Sequence, residues 1–125
     1  MNNFRATALL FSLTCLFTAA SYAQAPTQTQ NGILVDKAGM TVYTFDKDKA
    51  NSGKSACNDQ CAKAWPPVMA DAKSKAEGDY SIIKRDDGAQ QWAYKGQPLY
   101  TFVKDAKAGD KNGDNVKNVW HVVKP

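Results

Sequence analysis

The 125-residue chain holds a single histidine, His121. A multi-histidine metal centre is out of reach, and only one side chain titrates near neutrality when unperturbed. Cysteine is nearly as scarce, with Cys15, Cys57 and Cys61. Cys57 and Cys61 are separated by three residues and followed by Ala62, so neither the C-x-x-C-H of a c-type haem nor a thioredoxin-like C-x-x-C is present. No serine sits in a G-x-S-x-G context, and no glycine loop is built to cradle phosphate. Nothing motivates a hydrolytic triad on His121, which beside Trp120 reads as a surface or half-buried residue. Clustered charge is missing too. The 16 basic residues exceed the 12 acidic ones, but the signs interleave, as at Asp46–Lys49 and Lys84–Asp87. A nucleic-acid binder would gather its positive charge, so that partner is excluded and the excess reads as a solubility property. No cofactor is implied, and the balance leans away from an enzyme.

Long apolar runs are absent except at the start, MNNFRATALLFSLTCLFTAASYA. Arg5 supplies a positive n-region, Ala6 to Ala20 an apolar stretch, and Ser21-Tyr22-Ala23 the small residues of a cleavage site. This predicts a secretory signal peptide over 1–23, cut after Ala23. The run is shorter than the ~20 apolar residues that span a bilayer, so no transmembrane segment is expected after cleavage. A lipid-modified Cys15 is the competing reading. Thr14 is bulky for such a site and the apolar run continues through Leu16-Phe17, so lipid anchoring is not expected. The expected location is the periplasm or the outside medium. About a hundred residues remain, one domain's worth of chain.

Residues 24–31 are polar without apolar periodicity and read as a disordered or extended leader, with a single β-rich domain over 32–125. Ile33–Val35, a turn at Asp36–Gly39 and Met40–Phe45 form a hairpin pattern. Tyr43 and Phe45 share one strand face, Val42 and Thr44 the other. A short helix is expected near Cys57–Ala64, with Ser55 as a possible cap, ended by Pro66-Pro67. Met69–Gly78 fits a loop or a frayed helical turn. Tyr80–Lys84 and Gln90–Tyr94 flank an Arg85-Asp86-Asp87-Gly88 turn. Gln97–Phe102 is the next strand, with Pro98 at an edge or strand start, and Val116–Val123 the last. The fold class is mainly β, built of short antiparallel strands. Trp65, Trp92 and Trp120 are expected to make up much of the core, since each aromatic buries ~150–250 Å².

One decapeptide occurs nearly twice. GMTVYTFDKD at Gly39–Asp48 and GQPLYTFVKD at Gly96–Asp105 share six of ten residues. Tyr43 aligns with Tyr100, Phe45 with Phe102 and Asp48 with Asp105. Trp65 falls near Trp120 with a two-residue slip. These are two copies of one unit, about 32–68 and 89–123, each too small to bury its own apolar face. Tyr43, Phe45, Tyr100 and Phe102 read as core. Asp48 and Asp105 follow their strands, where an aspartate bonds nearby backbone N–H groups. The alternative is a pair of carboxylates in a shared site, and the spacing favours the first.

Y-x-[FWY]-x-x-D thus occurs twice, beside C-x-x-x-C-A-x-x-W-P-P at Cys57–Pro67, W-x-Y-x-G-x-P-L-Y at Trp92–Tyr100, and Trp120-His121. These motifs cover most of the chain past 23, and the sequence resembles the bacterial secreted repeats of unknown function, often labelled predicted lipoproteins. The resemblance implies an exported, duplicated small domain and no assigned activity. The chain departs from the label in lacking a convincing lipidation site.

Outside the cytoplasmic membrane, Cys57 and Cys61 default to a disulfide. The alternative is a periplasmic metal handler. Copper or zinc would use Cys57/Cys61, with Met40, Met69 or His121 recruited to sulfur-rich copper(I) ligation. Calcium would use Asp110, Asn112 and Asp114. That loop has Asn115 in place of the usual glycine and His121 in place of the bidentate glutamate, so a polar turn is the favoured reading. The functional expectation is an exported, disulfide-bonded, non-enzymatic binding or envelope-associated domain, its partner unspecified.

Overall fold

The computed structural model describes residues 25–125. The expected signal peptide 1–23, with Cys15 and the expected cleavage site, lies outside them. The elements are β1 (Thr27–Gln30), β2 (Ile33–Asp36), β3 (Tyr43–Phe45), α1 (Gln60–Ala64), β4 (Met69–Ala70), β5 (Tyr80–Lys84), β6 (Gln90–Tyr94), β7 (Gln97–Pro98) and β8 (Trp120–Val122). The protein is mainly β, with short antiparallel strands and, among the described residues, one five-residue α-helix.

Part of the expected leader is a strand. Thr27–Gln30 pairs with Ile33–Asp36, Gln30 facing Ile33 and Thr27 facing Asp36. The turn is Asn31-Gly32, both with positive φ (51° and 81°). Asn-Gly is the dipeptide that suits the twist of a two-residue hairpin. Gln28, Thr29 and Gln30 are exposed, and a strand that buries little leaves no alternation to read.

β3 does not simply return along β2. Val35 bridges Thr41, but β3 pairs with β8, Phe45 opposite Trp120 and Tyr43 opposite Val122. The matching segment of the second half, Tyr100–Phe102, meets the Trp65–Pro67 segment. Thr101 N–H donates to Pro66 O at 2.8 Å and Val103 N–H to Ala64 O at 3.0 Å, as Asp46 N–H donates to Val119 O at 2.8 Å. Only one of these two ladders is regular. Pro66 and Pro67 have no N–H to donate, so the expected Gln97–Phe102 strand shrinks to β7 and continues as single bridges. Val116–Asn118 is likewise a 3-10 turn before β8.

Each half therefore lends its Tyr-x-Phe strand to the tryptophan segment of the other. At the centre the two tyrosines trade backbone bonds: Tyr43 N–H donates to Tyr100 O at 2.7 Å, and Tyr100 N–H to Tyr43 O at 2.9 Å. The exchange puts a pseudo-twofold axis between them. Hairpin β1–β2 matches β5–β6. Leu34 N–H reaches Val123 O at 2.9 Å, and Trp92 N–H reaches Val68 O at 2.8 Å in the same manner.

Two cores flank the crossing. One holds Tyr43, Phe45, Cys57, Trp65, Tyr100, Phe102 and Trp120. The other holds Leu34, Val42, Trp92 and Leu99. Val42 and Tyr43 part to opposite sides, as strand alternation requires. Phe45 and Phe102 sit in equivalent buried positions, 8% and 9% exposed.

Candidate functional site

The first core is a pile of rings. Phe45, Trp120, Trp65 and Phe102 stack in that order, with centroids 4.2, 3.8 and 4.0 Å apart and planes within 16° of parallel. Tyr43 meets Trp65 edge-on at 5.4 Å, and Tyr100 meets Trp120 edge-on at 5.1 Å. The edge-on contacts suit the ring quadrupoles, and the stacked faces gain dispersion contact over their whole area.

The motif aspartates close the two halves reciprocally. Tyr43 Oη donates to Asp105 Oδ2 at 2.6 Å, and Tyr100 Oη donates to Asp48 Oδ2 at 2.5 Å. Each aspartate keeps its other oxygen for a loop, Asp48 accepting from Ala56 N–H at 2.6 Å and Asp105 from Asn112 N–H at 2.9 Å. The carboxylates thus serve two separate latches, not one shared site. Each phenol oxygen also accepts a bond, Tyr43 from Gly113 N–H at 3.2 Å and Tyr100 from Ser55 Oγ at 2.6 Å. Burial, then the bond to the aspartate, pushes both phenols well above the ordinary tyrosine range. Burial also lifts Asp48 above the usual carboxylate value, against the Tyr100 and Ala56 bonds and the charge of Arg85.

Arg85 opens the expected Arg85–Gly88 turn, yet it is 5% exposed. Its guanidinium donates to Ser55 Oγ at 3.0 Å, to Gln91 Oε1 at 2.7 Å and to the Cys57 carbonyl. Gln91, fully buried, passes its own donor to Leu99 O at 2.7 Å. A buried cation and a buried carboxylate are so joined through Ser55 and Tyr100. Ser55 does not cap the helix. α1 starts after Asp59 with no side-chain cap bond. Among the described residues no buried side-chain nitrogen or oxygen lacks a partner.

Cys57 and Cys61 form a disulfide, so neither offers a thiolate to a metal. The other metal candidates have separate partners. His121 Nε2 lies 2.7 Å from Asp46 Oδ2, and its Nδ1 lies 3.2 Å from Asn115 Oδ1. Asp110 accepts from Ala106 and Lys107 N–H, Asn112 Nδ2 donates to Lys104 O, and Asp114 accepts from Val122 N–H. Met69 is half exposed, at 55%. Among the described residues no three His, Cys, Asp or Glu side chains converge as a metal group.

Two openings border the cores. A groove of about 570 Å³ runs over Trp92 between Lys37 and Lys73, with Asp36 and Asp71 mixed in. A seam pocket of about 410 Å³ lies where the halves meet, against Phe45, Trp65 and Trp120, with Lys47 and Lys117 at its rim and no carboxylate in its lining. Lys117 holds left-handed backbone, φ 51° and ψ 19°, a conformation uncommon for lysine.

This geometry defines a class: a small, disulfide-bonded, mainly β domain made of two interlocked copies of one unit. The family model described as a secreted repeat of unknown function matches the chain twice, over residues 26–69 and 81–124. The chain belongs to that family. Both matched segments begin before the sequence-derived repeats, the first taking in β1 and the second β5 from Ser81 on. No curated protein and no solved structure matches the chain. Among the described residues no helix is long and apolar enough to cross a membrane.

Proposed function

We propose that this domain is a non-catalytic binding module that works outside the cytoplasmic membrane, in the periplasm or at the envelope, after removal of its leader. One observation carries the reading. The polar side chains of the repeated motif, Tyr43, Asp48, Tyr100 and Asp105, are all committed to holding the halves together. None is left as an acid, base or nucleophile beside an opening. Catalysis needs such a group within reach of a substrate. The disulfide and the family's description as secreted support the oxidising compartment. What the fold offers a partner is its surface and its openings.

The test has two arms. Protein recovered from the envelope fraction should have the mass expected for cleavage after Ala23 with the disulfide intact. Incubated with envelope extract and re-isolated, it should carry a component that is recovered chemically unchanged. Consumption of a component with appearance of a product would establish catalysis instead.

A further inference from the structure

The seam pocket's chemistry follows from what covers the tryptophans. Trp65 lies between Trp120 and Phe102, and Trp120 between Phe45 and Trp65. Both faces of both indoles are therefore occupied, and only ring edges remain to line an opening. Aromatic edges carry positive partial charge. The benzene edge of Trp65 is turned inward: a Cβ placed on Gly113 would lie 2.7 Å from Trp65 Cη2 and 2.8 Å from Cζ3. Its pyrrole edge, with the N–H, points the other way.

Neither indole N–H has a hydrogen-bond partner among the described residues. Yet no fully buried side-chain nitrogen there is left unpaired. Both N–H groups therefore meet solvent, although the two residues are only 5% and 3% exposed. Both rings line the seam pocket, with Lys47, Lys117 and the Gln60 amide on its rim. Neither lysine is ion-paired, since the ion pairs among the described residues are Lys54–Asp86 and His121–Asp46. The 3-10 turn that carries Lys117 is held in left-handed backbone at Asn115, Lys117 and Asn118, and such outliers gather at ligand sites.

We propose that the seam pocket binds a small organic carboxylate: an apolar body seated against Phe45, Val116 and Val119, and an anionic head held by the indole N–H groups of Trp65 and Trp120 and the ammonium groups of Lys47 and Lys117. The volume is within the range of small-molecule sites, which are mostly apolar with a few convergent polar groups. The larger groove over Trp92 lacks this selectivity, because Asp36 and Asp71 stand among its lysines. The proposal rests on the reading of the domain as a binding module and names its ligand class.

The test uses the mature, oxidised chain labelled with ¹⁵N and titrated with octanoate, 2-naphthoate and octanamide. Binding of either carboxylate should shift the indole N–H signals of Trp65 and Trp120 to saturation and leave that of Trp92 in place. Which carboxylate binds tells aliphatic from aromatic acids. Octanamide should not compete. The double variant Lys47→Gln/Lys117→Gln changes two exposed residues, so its fold is kept, and it should bind about tenfold more weakly or worse, as loss of charge-assisted contacts implies. Three results would overturn the proposal: no shift with either acid, octanamide binding as well as octanoate, or the double variant binding undiminished. If the acids fail while an envelope component is still retained unchanged, the ligand class falls and the binding reading stands. If the acids bind and are converted, the non-catalytic reading falls.

Discussion

Tyr43 of the first half and Asp105 of the second are joined by a 2.6 Å hydrogen bond, and Tyr100 and Asp48 repeat it with the halves exchanged. The repeated motif is thus written twice because each copy holds one end of the other's bond. Neither bond can form within a single unit.

Removing one latch should take away the partner of two polar atoms, one on the aspartate and one on the loop. In Tyr43→Phe, Asp105 loses a donor and Gly113 N–H an acceptor. Urea unfolding should show a loss of about 1–3 kcal/mol. Tyr100→Phe should cost at least as much, because Asp48 Oδ2 loses its donor and the Ser55 hydroxyl loses the phenol as acceptor. If the two variants differ little from wild type, the latches do not hold the halves together.

Asp48 should make the fold respond to acid with an unusual sign. Its folded pKa lies above the ordinary 3.8, chiefly through burial. The folded state keeps this proton where the unfolded chain has released it. The Asp48 contribution is therefore most favourable below the ordinary value and declines as pH rises through the folded one. Compared from about pH 3 to 7, the stability gap between wild type and Asp48→Asn should shrink with rising pH and then level off. The two phenols act at the other end of the scale. Both stay protonated when folded, so stability should fall once pH exceeds the ordinary 10.0.

Gly113 has no room for a side chain. A Cβ there would come within 2.9 Å of Tyr43 Cε1 as well as against Trp65, and both are rigid rings inside the stack. Gly113→Ala should destabilise by about 1–3 kcal/mol through overpacking, with loss of the near-ultraviolet dichroism of the stacked tryptophans.

The disulfide closes a very short loop, so its entropic effect is modest. Cys57→Ser/Cys61→Ser should lower stability by about 2 kcal/mol without abolishing the fold, since the ring stack and both latches lie outside the loop. Unfolding with and without reductant should give the same difference for wild type and none for the variant.

The β class, the duplication and the buried aromatic pattern were legible because they are local: Tyr-x-Phe alternation, a fixed spacing, glycine turns. The crossing of the halves was not. The decapeptides show that Tyr43 and Tyr100 are equivalent, but equivalence does not say whether a residue bonds within its own copy or across to the other. Arg85 was hidden for another reason. In Arg85-Asp86-Asp87-Gly88 it looks like any charged turn residue, and only the fold brings Ser55 and Gln91 around it. β1 escaped because its strand faces water and alternates nothing, though Asn31-Gly32 was there to be read. Among the metal candidates, sequence proximity placed Asp110, Asn112 and Asp114 together, whereas each carboxylate or amide turns to its own stretch of backbone.

The pairing of Tyr43–Phe45 with Trp120–Val122 sets an order of events for a chain delivered one end first. Tyr43 cannot meet Tyr100 until most of the chain has emerged, and the pairing with β8 must wait for nearly the last residue. Contacts this distant in sequence form late and slowly. The two halves can lock together only once nearly the whole chain is available.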